Sequence, residues 1–329
     1  MLVVRDGETS TVSDRRSCVA IGVFDGLHRG HQRVLELLLE FTNARERNEI
    51  ATVVTFDPHP AQVLAPDHAP KLIGTIEQRL EGLAALGVEQ VRVLTFSHDL
   101  AELTPEAFAT QVLVDELRVS GVLIGRDFRF GHNRTGDVDT LGAIGTKYGF
   151  EVEAVPSFGA PHPSSTYGTP RWSSTAVRSA LGFGDVVAAN EMLGRPFVLR
   201  GVVEHGDARG GELGFPTANV LGARHQLIPE LGIYAGAART PDGQWRAAAI
   251  SVGTRPQFYE DGPMLVEVHL PGFDANLYDQ VLDVAFLTRL RGEQKFDGVA
   301  ELVAQIGRDV AETVAIFKKF THQDSRLLR

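Results

Sequence analysis

The sequence predicts an α/β protein: an N-terminal doubly wound parallel sheet followed by a small antiparallel β-barrel with a C-terminal helix. Three observations lead there. Short apolar runs alternate with amphipathic helical patterns from Val19 to Pro156, as βαβ units require. After Gly194-Arg195-Pro196, helical periodicity gives way to short β-like runs punctuated by glycine. The 329 residues also exceed what one ordinary core organises. Two domains are expected, residues 1–182 and 197–329, joined by a linker over 183–196.

In the first domain, strands are expected near Val19–Phe24, Ala51–Phe56, Val91–Phe96, Val119–Gly125 and Glu151–Pro156. Residues Gln32 to Arg47 carry helical apolar spacing directly after the first strand. In the second domain, Val198–Val203, Gly232–Arg239, Trp245–Val252, Leu265–Leu270 and Val281–Leu287 read as antiparallel strands, with Pro241-Asp242-Gly243 as a hairpin turn. A small closed barrel is the economical arrangement of such strands. Val299, Leu302, Ile306, Val310, Val314 and Phe317 then give Phe296–Lys319 the pattern of a helix covering the barrel.

Composition narrows the function classes. The charged fraction of 22% and hydrophobic fraction of 43% fit a globular protein, neither disordered nor membrane-embedded. A net charge of −10 lacks the basic character of a nucleic-acid binder, so no nucleic-acid partner is expected. Cys18 is the only cysteine, which leaves neither a disulfide framework nor a thiolate metal cluster, and it reads as a small buried hydrophobe. No apolar run approaches the roughly 20 residues that cross a bilayer, so no membrane partner is expected and a cytoplasmic location with an ATP supply follows.

In a doubly wound sheet, ligands bind beyond the carboxyl ends of the strands, and the unusual motifs lie there. The first strand runs through Gly22 and Phe24 into Asp25-Gly26-Leu27 and then His28-Arg29-Gly30-His31. Two imidazoles three residues apart at a helix start can present N–H donors to phosphates alongside the helix dipole, and the glycines allow close backbone approach. This turn reads as a grip for a triphosphate. Asp57 and His59 follow the second strand, His59 in a rigid position between two prolines that suits pocket lining or substrate contact. Gly125, Asp127, Phe128 and Phe130 follow the fourth; the phenylalanines either cover a flat ring or pack in the core, and Asp127 orients a hydroxyl or amino group. Ser173, Ser174 and Thr175 read as an N-cap or, with Arg178 one turn later, as a second phosphate clamp.

In the barrel, Gly201, Gly206, Gly210, Gly211 and Gly214 form a glycine-rich stretch ahead of Pro216-Thr217, suited to bringing backbone N–H groups against phosphates. It is not a Walker motif, because the Gly-Lys-Ser/Thr ending is absent. Alternation in Leu265–Leu270 puts Glu267 and His269 on one strand face and Val266 and Val268 on the other.

These motifs, in this order, closely resemble the bifunctional bacterial riboflavin kinase/FAD synthetase family. The resemblance rests on Gly22–His31, Thr55–Pro60, Asp127–Gly131 and Ser173–Arg178, and independently on Leu213–Asn219, Gly232–Gly236, Ser251–Pro256 and Val266–Leu270. It implies that the C-terminal domain phosphorylates riboflavin with ATP to give FMN. It further implies that the N-terminal domain adenylylates FMN with a second ATP, giving FAD and pyrophosphate. Riboflavin, FMN, FAD and ATP are then the small-molecule partners, with Mg²⁺ as cofactor. Residue by residue, the resemblance implies adenylyl transfer at His28 and His31, with Ser174 and Arg178 holding the departing phosphates. Thr217 and Asn219 are implied Mg²⁺ ligands, Glu267 the implied base, and Arg291 and Phe296 belong to a segment closing beside the flavin.

Arg126, Gly211 and Trp172 depart from the family pattern without removing a catalytic group. Three rival readings are a chain with only one active module, a non-catalytic flavin-binding regulator, and a nucleotidylyltransferase with another acceptor. Both motif sets are present, His28, His31 and Glu267 are retained, and the kinase-like half is foreign to the third class.

Overall fold

The computed structural model describes residues 1–9, 11–45, 48–159, 172–205, 213–222, 225–254 and 264–323. These form two compact units: Met1–Pro70 with residues 76–159 and Trp172, and Lys71–Thr75 with the described residues from Ser173 onward.

The strands of the first unit are β1 (Leu2–Arg5), β2 (Ser17–Ile21), β3 (Ile50–Asp57), β4 (Gln90–Thr95), β5 (Val119–Gly125) and β6 (Glu151–Val155). They pair in the order β1-β4-β3-β2-β5-β6, every neighbouring pair parallel. The helices are α1 (Arg29–Asn43), α2 (Pro60–Leu64), α3 (Ile76–Ala85), α4 (His98–Ala101), α5 (Pro105–Phe108) and α6 (Val138–Tyr148), with a π-helical stretch over Ala109–Glu116. Side chains alternate between two cores. Cys18 and Ala20 of β2 join Leu35, Leu38 and Leu83 on one face. Val19 and Ile21 join Leu113, Leu141 and Phe150 on the other. Burial on both faces is why these strands read as unbroken apolar runs.

The second unit opens with α7 (Ser174–Gly182) and α8 (Val186–Leu193), then builds a closed barrel. Its strands are β7 (Phe197–Glu204), β8 (Ala218–Gly222), β9 (Gly232–Arg239), β10 (Trp245–Thr254), β11 (Met264–His269) and β12 (Val281–Arg291), ordered β10-β11-β8-β7-β12-β9 and antiparallel throughout. One alternating set, including Phe197, Val220, Tyr234, Ile250, Val266 and Phe286, is fully buried and fills the interior. On the outside, Phe317 and Phe320 of α9 (Val299–Gln323) pack over Ala237 and Ala285. The Thr240–Gln244 hairpin is closed by the Thr240 N–H donating to the Gln244 carbonyl at 3.0 Å, with Gly243 at φ +80°.

The doubly wound sheet, barrel and terminal helix match the sequence reading, with one additional strand in each sheet. β1 pairs at the sheet edge, and β8 sits between β11 and β7. Residues 183–196, expected as linker, contain α8. Its Asn190 donates through Nδ2 to the Phe286 carbonyl at 2.8 Å and accepts the Phe197 N–H at 2.7 Å, joining the helix to β12 and β7.

Candidate active sites

At the carboxyl end of β2 the chain makes a constrained turn. Phe24 (φ 54°) and Leu27 (φ 45°) both adopt left-handed backbone, with Gly26 between them at φ 78°. Asp25, Gly26 and Leu27 form one buried 3₁₀ turn. Phe24 packs its ring over Gly22, where a Cβ would stand 3.2 Å from the ring edge. The Gly22 N–H donates to the Val54 carbonyl at 3.0 Å, tying the turn to β3.

His28 caps α1: its Nδ1 accepts the His31 N–H at 3.3 Å. In the neutral ring that acceptance leaves the proton on Nε2, so His28 retains one ring donor. The two imidazoles stack with centroids 3.6 Å apart and planes 22° apart, and Phe24 meets His31 edge-on at 5.2 Å. A Cβ at Gly30 would stand 3.1 Å from the His28 ring and 3.3 Å from the Trp172 carbonyl oxygen, so glycine leaves room that a larger residue would have to gain by small shifts of those neighbours. The N-terminus of a 15-residue helix, two stacked imidazoles and a glycine floor thus meet where a parallel sheet binds ligands.

Other candidates have defined local roles. His59 caps α2, its Nδ1 accepting the Ala61 N–H at 3.0 Å while Gln62 Oε1 accepts the His59 N–H at 3.1 Å. Asp57 ends β3 just before it. Gly125 and Asp127 are exposed, and Asp127 Oδ2 accepts from the Ser157 hydroxyl at 3.3 Å. Phe130 is buried and stacks on Phe128 at 5.5 Å; both pack against the core beneath β5. In the second unit, the Ser173 hydroxyl caps α7 by accepting the Ala176 N–H at 3.2 Å. Ser174 and Thr175 occupy its first turn, and one turn on, Arg178 Nε donates to the Lys71 carbonyl at 2.7 Å.

In the barrel, the register places Asn219 of β8 opposite Glu267 of β11, and Glu267 opposite Ser251 of β10. Directly opposed residues share a face, with Cβ atoms about 5 Å apart. Because Val220, Val266 and Val268 point inward, the Asn219–Glu267–Ser251 row lies on the outer face. Just before β8, Pro216 is held by His269, whose Nδ1 lies 2.8 Å from the Pro216 carbonyl oxygen, and Phe215 meets that imidazole edge-on. Thr217 borders a cleft of about 150 Å³ together with Pro216, Val268, Phe273, Asn276 and Tyr278, whereas Asn219 and Glu267 are not among its lining residues.

Gly201 is a packing glycine: a Cβ there would stand 2.3 Å from the Leu221 carbonyl oxygen. Gly214 has φ +84° with open space beside it. Gly206, Gly210 and Gly211 lie outside the described residues. Arg291 ends β12 with its guanidinium on the buried Asp309, Nη2 to Oδ2 at 2.7 Å, and its charge lies 5.7 Å from the Phe296 ring centre. In the segment between them, Glu293 Oε1 reaches Gly253 of β10 on the face that carries Ser251.

The donor set at the barrel suits a hard cation. Thr217 and Asn219 offer neutral hydroxyl and amide oxygens, and the Glu267 carboxylate stands beside Asn219. Among the described residues no three His, Cys, Asp or Glu side chains cluster to hold a metal alone. That fits an ion completing its shell with phosphate oxygens and water, as Mg²⁺ does.

Sequence reasoning missed Arg79, which is 4% exposed beneath the histidine turn, because a lone arginine in an amphipathic helix reads as solvent-facing. It also missed Asn276 and Tyr278, which sit in a loop between strands without a motif of their own.

Comparison with known proteins agrees with this division. The FAD synthetase family matches residues 10–166 and the riboflavin kinase family residues 193–317. A bifunctional riboflavin kinase/FMN adenylyltransferase of Escherichia coli K12 is 37% identical over 310 residues, covering 94% of this chain and 96% of the relative. Its namesake in Bacillus subtilis is 35% identical, covering 92% and 93%. A crystal structure described as a macrolide-efflux protein from Streptococcus pneumoniae superposes with a TM-score of 0.83 at 28% identity, covering 96% of this chain and 99% of that one. No helix among the described residues is long and apolar enough to cross a membrane. With both family matches in order and full-length relatives on either side, the chain belongs to the bifunctional riboflavin kinase/FMN adenylyltransferase family.

Proposed function

We propose that this chain converts riboflavin to FMN and then to FAD, using one ATP for each step. The reading divides the labour between residues 197–329, which phosphorylate riboflavin, and residues 1–182, which adenylylate FMN. In the first step the terminal ribityl hydroxyl attacks the γ-phosphorus of ATP, its proton passes to Glu267, and ADP leaves. Thr217 and Asn219 are the proposed Mg²⁺ ligands; the ion, when bound, neutralises charge on the ATP phosphates. The cleft beside Thr217 is the proposed ATP seat, and Arg291 and Phe296 are proposed to border the flavin.

In the second step an FMN phosphate oxygen attacks the α-phosphorus of ATP in line, and pyrophosphate leaves. No proton transfer and no covalent intermediate is needed. The work is therefore positioning and charge stabilisation. His28 Nε2–H and His31 are proposed to donate to the α-phosphate oxygens at the α1 N-terminus, and Ser173, Ser174, Thr175 and Arg178 to bind the β- and γ-phosphates. Asp127 and Phe128 are proposed to line the flavin or adenine seat. A cytoplasmic location is proposed from the need for ATP.

The observation that carries this reading is the stacked His28–His31 pair at the N-terminus of α1, with Gly30 packed closely between the His28 ring and the Trp172 carbonyl. A flavin-binding regulator has no need of that arrangement. Incubation of the full chain with riboflavin, ATP and Mg²⁺, with products separated by chromatography, is expected to yield FMN followed by FAD. Absence of both products contradicts the enzyme reading, and FMN alone contradicts bifunctionality.

A further inference from the structure

Helix α3 lies under the histidine turn and reaches it directly through Gly82 and indirectly through Arg79. Gly82 supports Leu27 so closely that an added Cβ would stand 2.4 Å from Leu27 Cδ1. One turn earlier, on the same face, Arg79 reaches the end of β3. Its Nη1 donates to Thr55 Oγ1 at 3.1 Å and to the Phe56 carbonyl at 3.0 Å. The Thr55 hydroxyl in turn donates to the Val23 carbonyl at 3.0 Å. Val23 immediately precedes Phe24, where the backbone turns left-handed and leads into Asp25, Leu27 and His28.

We propose that Arg79 is a positioning residue for adenylyl transfer: through Thr55 it fixes the Val23 carbonyl, and so sets where the turn delivers His28 and His31. This rests on the proposed adenylyltransferase reading of that site. Three features distinguish Arg79 from an ordinary packing residue. A guanidinium costs much to bury unless it is hydrogen-bonded, and Arg79 is 4% exposed with its two bonds both to the end of β3. Its Nε is buried with no hydrogen-bond partner, so the group is oriented for the Thr55–Phe56 contact at the expense of full satisfaction. Burial pulls its pKa down, but the Asp25 and Asp57 carboxylates, from the two loops it ties, oppose that pull. Arg79 thus links the exits of β2 and β3, two of the strands whose loops carry motif residues of this site.

The test uses the full chain, in which riboflavin phosphorylation serves as an internal control. Arg79→Met and Thr55→Val are each expected to lower kcat for FAD formation about tenfold with KM for ATP and FMN little changed, since displacement of a catalytic group acts on orientation. Phosphorylation of riboflavin should proceed at the wild-type rate in both. Because they cut one relay, the double variant is expected to be no slower than Arg79→Met alone. Arg79→Lys, which keeps a donor for the Phe56 carbonyl and the Thr55 hydroxyl, should recover most of the rate. The imidazole C–H resonances of His28 and His31, assigned by substitution, should move in Arg79→Met and in the milder Thr55→Val. Additive losses in the double variant, or histidine resonances unmoved in both single variants, overturn the relay. The resonances need no turnover, so a wild-type chain that made no FAD would count against the reading of the site and leave the relay separately decided.

Discussion

At Gly30 a single methyl group separates stability from activity. Alanine there favours the helix by up to about 1 kcal/mol, yet its Cβ would press on the His28 ring and the Trp172 carbonyl. Gly30→Ala is therefore expected to change the melting temperature little, the helix gain being offset by that crowding, while FAD formation falls about tenfold. Kinetics and thermal unfolding of the same sample check this; a variant with full activity would show that the imidazole stack has room to move. Cys18 gives a second prediction. Burial first, then its contact with Glu49 (Sγ donating to Oε2 at 3.0 Å), raises the thiol pKa. An aromatic disulfide reagent should react with the folded chain only as fast as the chain unfolds. The residue type was legible here, as a small buried group, but the carboxylate partner was not, since 31 positions separate the two in sequence. The same limit applies to Arg79, whose partners Thr55 and Phe56 are brought to it only by the packing of α3. His28 and His31 were legible because their chemistry is local, set by a helix start and a glycine.

Among the elements, β1 and β8 show what periodicity leaves out. β1 has four residues, too few for an alternation to register, and its place in the sheet depends on a side chain beyond its end. Asp6 Oδ2 accepts the Thr95 N–H at 2.7 Å, and Oδ1 pairs with Arg92. Burial pushes the Asp6 carboxyl up, but the bonds from Thr95 and Arg92 outweigh it and hold the pKa below the ordinary carboxylate value. A lowered folded pKa contributes stability above the unfolded value of about 4, which is lost as pH falls through the folded value. Asp6→Asn should thus lower stability at neutral pH and reduce the acid loss below pH about 4, measured by unfolding at several pH values. β8 was missed because its five residues follow the turn-like Pro216, end on Gly222 and bury only Val220. It nevertheless carries Asn219, so the motif was found before its strand. α8 occupies part of the stretch expected as linker, residues 183–196. Asn190, its anchor to the barrel, should cost about 1–3 kcal/mol on replacement by alanine, because both bonds are at least partly buried. Thermal unfolding tests that value, and a negligible loss would show α8 to be held by apolar packing alone.

Across the whole molecule, short apolar runs made the parallel sheet legible because its strands bury both faces, and β-like runs punctuated by glycine did so for the barrel. The order of the strands was not. Parallel pairing of β1 with β4 and antiparallel pairing of β12 with β9 join segments far apart in the chain, which local pattern does not encode. Function was legible for a different reason: the residues that carry the family resemblance lie in short contiguous motifs, such as Gly22–His31 and Val266–Leu270. The proposed reading makes the two reactions separable. The most direct measurement supplies the full chain with ATP and Mg²⁺ and offers either riboflavin or FMN. His28→Ala should turn riboflavin into FMN at the wild-type rate and form FAD at least about 100-fold more slowly. Glu267→Ala should form FAD from supplied FMN at the wild-type rate and make little FMN from riboflavin. Loss of both reactions from either substitution would contradict the account.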